Sequence, residues 1–156
     1  MSNFESPSLL EKKITSPIQW VRPDTKLEFE LGEIERVSRH FGETPEEQSR
    51  IINRLTEGIA QVEPVDLTPD LWENLENTDS FDIAAGDYAR VRVLAQEYGR
   101  NEGHIIDQVN SGIPIETPII AQRGEALHLV SGNTRLMLAR AAGQIPKVII
   151  VQIAGK

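Results

Sequence analysis

The chain has 156 residues, 39% of them apolar and 26% charged, with no cysteine and a formal charge of −8. A domain of that length buries a sizeable core without cross-links, and the missing cysteines exclude disulfides, thiolate zinc sites and thiol catalysis. The charge is uneven, with 18 acids against 8 bases in residues 1–82 and 6 against 8 in residues 83–156. That leaves no basic footprint for tight nucleic-acid binding, so weak, salt-sensitive DNA binding at most is expected.

Residues 1–25 read as a loose polar arm punctuated by Pro7, Pro17 and Pro23. The start lacks a basic-then-apolar leader pattern, and the longest aliphatic run, residues 148–151, is far too short to span a bilayer. A soluble, cytoplasmic protein without membrane contact is the expectation. "KLEFEL", residues 26–31, alternates like a strand, then merges into the helical spacing of Leu31, Ile34, Val37 and Phe41. In "GETPEEQSRIINRLTEGIAQ", Thr44 caps a helix, Pro45 takes its first position and Glu47 completes a capping box. Ile51, Ile52, Leu55 and Ile59 line one face of that helix.

A short strand is predicted within residues 62–67, followed by a helix that opens at Thr68-Pro69, carries Leu71, Trp72 and Leu75, and ends around Asn77. Tyr88, Val91, Leu94, Ala95 and Tyr98 mark another helix closed by Gly99; Ile105, Ile106 and Val109 mark a short one closed near Gly112. "TPIIAQ" and "LHLV", joined by a "RGEA" turn, are two strands. A last helix over residues 134–142 stops at Gly143, and a last strand covers residues 147–153. Runs such as "TPII" and "KVIIV" are apolar without alternation, as in strands buried on both faces. The fold class is therefore α+β (mixed α/β). A small irregular sheet with packed helices fills residues 60–156, and residues 1–59 form an arm and a mostly helical extension of the same compact unit.

The junction "LHLVSGNTRLMLARAAG" is the most informative stretch. A strand stops at Ser131-Gly132-Asn133, a helix starts at once, and Arg135 lies in its first turn. Glycine permits close backbone approach, a helix start offers free N–H donors and a positive dipole end, and a guanidinium fork matches phosphate oxygens. The alternative is a plain connection in which Asn133 or Ser131 caps the helix and Arg135 pairs with an acid.

The second half resembles the ParB/sulfiredoxin-like superfamily. The shared features, over about residues 60–153, are a short helix and Gly112-Ile113, the strand "TPIIA", a turn, the strand "LHLV", the "SGNTR" turn, an alanine-rich helix and the strand "IPKVIIV". The resemblance implies a Gly-x-x-Arg phosphate site at Gly132, Asn133, Thr134 and Arg135, with Ser131 beside it, taking a nucleotide (ATP, ADP or CTP) with Mg²⁺. Sulfiredoxins carry a cysteine where this chain has Asn133, so their chemistry is excluded. Chromosome-segregation ParB proteins carry a second arginine where Thr134 stands and continue into helix-turn-helix regions, so centromere-type binding is not expected. Relatives that phosphorylate free serine use acids near the first strand and helix, a region that here offers Asp66, Asp70, Glu73, Glu76 and Asp79.

Other residue groupings bear on chemistry. Glu73 and Glu76, three apart on the expected helix, share a face, with Asp79 close by. These carboxylates are candidates for catalysis, and Glu73 with Asp79 for holding Mg²⁺; such groups are also common as a solvated helix edge. "NTDS" is either a turn or a ligand-facing loop. His128 shares a strand face with Val130 and either serves as a base near a bound phosphate or is an ordinary strand histidine. His40, His104 and His128 lack helical metal spacing and are far apart in sequence, which argues against zinc. The leading functional expectation is nucleotide binding, with Mg²⁺-dependent phosphoryl transfer or nucleotide hydrolysis if the protein is an enzyme. The alternatives are a ParB-like nuclease and a non-enzymatic phage or mobile-element module whose acidic N-terminal half contacts a protein partner.

Overall fold

The computed structural model describes residues 12–23 and 28–153. In chain order the elements are β1 (Trp20–Val21), α1 (Glu28–Phe41), α2 (Pro45–Gln61), β2 (Val65–Asp66), α3 (Pro69–Glu73) and β3 (Leu75–Glu76). After a 3₁₀ turn (Ser80–Asp82) come α4 (Tyr88–Glu97), α5 (Glu102–Asn110), β4 (Ile115–Glu116), β5 (Ile119–Arg123), β6 (Ala126–Ser131), α6 (Asn133–Ala141) and β7 (Lys147–Gln152). Five strands form a mixed sheet in the order β2-β7-β5-β6-β3, and β1 pairs in parallel with β4 as a separate two-stranded piece. The fold is α+β.

The unalternating runs become the sheet centre because both faces are covered. Ile119, Ala121, Val130, Ile149 and Val151 pack with Ile34, Val37, Leu55 and Ile59 of α1 and α2. Ile120, Leu127, Leu129 and Val148 face the other way, onto Trp72, Val109, Leu136 and Ala139. A third cluster joins α4, α5 and α6 through Val91, Ile106, Met137 and Leu138. The start of α2 follows its sequence signals. Thr44 accepts from the Glu47 N–H at 3.1 Å, while the Glu47 carboxylate reaches the N–H of Glu43, one residue ahead of the cap. The backbone N–H groups of Glu43 and Thr44 hold the Glu47 carboxyl below its ordinary range.

Three local expectations change. Of the stretch read as a strand, residues 26 and 27 lie outside the described residues and 28–31 open α1. Ile34 and Val37 are fully buried, and their helical spacing outweighs a few residues of alternation. The helix expected to reach Asn77 stops at Glu73, where Asn74 caps it. Leu75 then pairs with Leu127, so Leu75 and Glu76 form an edge strand rather than a helical turn. Finally, residues 12–23 of the supposed loose arm lie across the second half of the chain. Ile18 is buried in the main cluster, its N–H donates to Gln144 Oε1 at 2.8 Å, and Arg22 Nη1 donates to the carbonyls of Ile59 and Val62.

Candidate functional site

Four segments enclose a cleft of about 820 Å³: residues 131–135, the loop 77–79, the α4–α5 junction with His104 and Ile105, and Glu33 of α1. Its floor is the strand-to-helix turn. Gly132 has φ +108°, and a Cβ there would come within 2.6 Å of the Pro118 Cβ and 2.8 Å of its Cα. Only glycine meets both conditions, the left-handed backbone and the close approach. α6 begins at the next residue, and no side chain caps its start, the place where a helix offers N–H donors to an acceptor.

The two expected caps do something else. Asn133 Oδ1 accepts from Thr78 Oγ1 at 2.7 Å and from the Asp79 N–H at 3.0 Å, and its Nδ2 donates to Asp79 Oδ2 at 3.2 Å. Asn133 thus ties the 77–79 loop to the turn. Ser131 Oγ is buried and has no hydrogen-bond partner. The loop is braced from behind as well. Trp72 Nε1 donates to Ser80 Oγ at 2.8 Å, and Ser80 and Thr78 are hydroxyl to hydroxyl at 2.8 Å. Because the Thr78 proton goes to Asn133, the Ser80 hydroxyl donates in that contact. Asn77 sits at φ +67° and donates from Nδ2 to the Leu129 carbonyl at 3.1 Å. Of the two meanings open to "NTDS", the loop faces the cleft.

Asp79 is the one expected acid that lines this space. Its Oδ2 also accepts from the Tyr98 hydroxyl at 2.6 Å; that bond, with some burial and the carboxylate charge, raises the Tyr98 phenol above its ordinary range. Glu73 and Glu76 do not share a helix face, since one ends α3 and the other is in β3, and neither lines the cleft. The expected Glu73–Asp79 metal pair is not assembled there. Thr134 and Arg135 do line it. Arg135 Nη1 donates to the carbonyls of Glu116 and Thr117, so part of the guanidinium is spent on β4 and the link that follows it.

His128 lies elsewhere. It is buried on the α1 face of the sheet, stacked on His40 with centroids 4.5 Å apart and met edge-on by Phe41. Burial first, then His40 and Arg36, lowers its pKa below the ordinary value of 6.5. It does not line the cleft, so the structure does not bring it together with the Gly132 turn. Sequence reasoning missed the opposite wall: Tyr98, Arg100, Asn101 and His104. The only signal was Gly99, a left-handed stop (φ +69°) that turns the chain back toward α5.

Among the described residues no helix is long and apolar enough to cross a membrane. No family model matches the chain, and no curated protein or solved structure matches it significantly.

Proposed function

We propose that the protein binds a phosphorylated small molecule of nucleotide size, with its phosphates at the Gly132 turn. The observation that carries this is the uncapped start of α6, opened by a left-handed glycine onto a cleft of about 820 Å³. A helix start without a side-chain cap, together with the helix dipole, favours an anion at that place. The cleft volume lies within the roughly 300–1,000 Å³ common for small-molecule sites. Arg100 on the facing wall adds positive charge and His104 a ring nitrogen, and Arg135 holds the carbonyl segment behind the turn. ATP, ADP and CTP are the first candidates, with Mg²⁺. If the site also transfers or hydrolyses a phosphoryl group, Asp79 is the carboxylate in position to hold the cation or a water, because Glu73 and Glu76 lie outside the cleft. The strand–Gly-x-x-Arg–helix order supports grouping the domain with the ParB/sulfiredoxin-like superfamily.

A thermal-shift series with these nucleotides, inorganic phosphate and pyrophosphate, with and without Mg²⁺, tests the proposal. A ligand at 100 times its Kd stabilises by about 2.7 kcal/mol, and that shift should shrink in Arg100→Ala. No shift with any phosphorylated compound at millimolar concentration would sink it.

A further inference from the structure

On the opposite side of β6 from the main core a second cluster of side chains is built by register. β3 and β6 run in parallel with Glu76 directly beside His128, so both side chains leave the same face of the sheet. α1 crosses that face and lays His40 over the His128 ring, with centroids 4.5 Å apart and planes 25° apart. One donor atom from each of the three residues then lies within 4.8 Å of the others, and Glu76 Oε1 is 3.6 Å from His128 Nδ1. We propose that His40, Glu76 and His128 form a site for one divalent late-transition cation, Zn²⁺ in the first instance, with solvent completing the coordination.

Two features point to a ligand. The first is the donor set: two imidazoles and one carboxylate, with an open fourth position, is a recurrent zinc arrangement. In a tetrahedron with bonds of about 2.1 Å the ligand atoms stand about 3.4 Å apart. The Glu76–His128 pair is already near that spacing, and His40 and Glu76, both exposed, are free to close the rest. The second is independent of the cluster's composition. His128 is only 5% exposed, and its Nδ1 is a buried polar atom with no hydrogen-bond partner, since Glu76 at 3.6 Å is out of hydrogen-bonding range. A buried polar atom without a partner is costly, and a cation between the two supplies one.

Arg36, one helical turn before His40, opposes the cation. Its Nη1 lies 3.2 Å from His128 Nε2, and a guanidinium only donates. Nε2 is therefore the acceptor in that contact, and Nδ1 carries the ring proton. Coordination through Nδ1 moves that proton to Nε2, with no net loss from the ring, and displaces the Arg36 contact. Arg36 retains Glu33 at 2.9 Å and the Leu129 carbonyl. Arg36 thus sets the affinity from outside the ligand set.

The test is calorimetric titration of the metal-stripped full chain with Zn²⁺, together with Co²⁺ titration followed by visible absorption. One equivalent should bind, and Co²⁺ should show tetrahedral bands that Zn²⁺ removes. His40→Ala and Glu76→Gln alter exposed side chains, and circular dichroism checks their folding. Each should weaken Zn²⁺ binding by at least the roughly 10–100-fold seen for loss of outer-shell partners. Glu73→Gln, a nearby carboxylate outside the cluster, should bind as the wild type does. Arg36→Gln should bind more tightly, because glutamine accepts the Nε2 proton and removes a positive charge. The proposal is overturned if no saturable one-equivalent binding occurs, or if His40→Ala and Glu76→Gln bind as the wild type does. Unchanged or weaker binding in Arg36→Gln would overturn the Nδ1 assignment.

Discussion

Arg135 and Arg100 both line the cleft, but their surroundings assign them different work. Arg135 donates to the Glu116 and Thr117 carbonyls. Hydrogen bonds from a charged donor contribute about 1.5–3 kcal/mol, so Arg135→Ala should lose stability of that order in urea titration as well as ligand affinity. Arg100 is exposed, with its own backbone N–H tied to the Ala95 carbonyl. Arg100→Ala should leave the urea midpoint unchanged while weakening ligand binding by about tenfold, or ~1.4 kcal/mol. Equal urea midpoints for Arg135→Ala and wild type would refute the bracing role. Tyr98 gives a second test at this scale. The folded protein holds the phenol proton against Asp79 above the ordinary pKa of 10.0. The unfolded chain releases it near that value, so whatever stability the bond contributes is present below pH 10 and lost as the pH rises through the folded pKa. In a Tyr88→Phe background, which leaves Tyr98 as the sole tyrosine, phenolate absorbance should appear above the usual pH, and a further Asp79→Asn change should move it back down. Identical titration curves before and after that second substitution would remove Asp79 as the cause.

Elements with their own local signals were legible in the chain. α2 announced itself by Thr44-Pro45 and its apolar face, α6 by Gly132, and β5 and β7 by runs too apolar for anything but two-sided burial. β3 was not legible, because two residues become a strand only where a partner such as Leu127 is present, and Trp72 and Leu75 alone continue a helical pattern. β1 and β4 were hidden for the same reason. The floor of the cleft could be read from Ser131 to Arg135, whereas its facing wall could not, since nothing near Gly99 or Arg100 refers to a turn so distant in sequence. Separation also hid the stacking of His40 on His128. One contact between elements was equally silent. Gly58 in α2 has no room for a side chain, because a Cβ would stand 2.5 and 2.7 Å from the two Val151 methyl carbons of β7. Gly58→Ala should therefore destabilise despite the better helix propensity of alanine. Overpacking of this kind costs about 1–3 kcal/mol, against a propensity gain of ~1 kcal/mol. Val151→Ala should relieve part of the loss, so a double-mutant cycle in urea should show favourable coupling. Additive effects would mean that the helix moves aside freely.

Across the whole molecule, the two parts of the chain share their core. Ile34, Val37 and Ile59 from the first 59 residues interdigitate with Ile119, Val130 and Ile149. Residues 12–22 also run as a strap over the second part. Lys12 pairs with Asp107 at 2.8 Å, the Thr15 N–H donates to Asn110 Oδ1 at 2.8 Å, and Gln144 Nε2 donates to the Ser16 carbonyl. At its far end the Ile115 N–H donates to the Gln19 carbonyl and the Thr117 N–H to the Val21 carbonyl. All these bonds join residues distant in sequence, so the strap is held by tertiary contacts alone and should open as a unit. The segment beneath it is the one whose carbonyls hold Arg135 behind the Gly132 turn. Amide hydrogen exchange exposes the consequence. Ile115 and Thr117 should exchange through a local opening faster than the central amides of β5 and β7, and Arg135→Ala should speed them further. A ligand seated at Gly132 should slow the same two amides without touching either, so strap and cleft would communicate through how often the strap opens rather than through any change of shape.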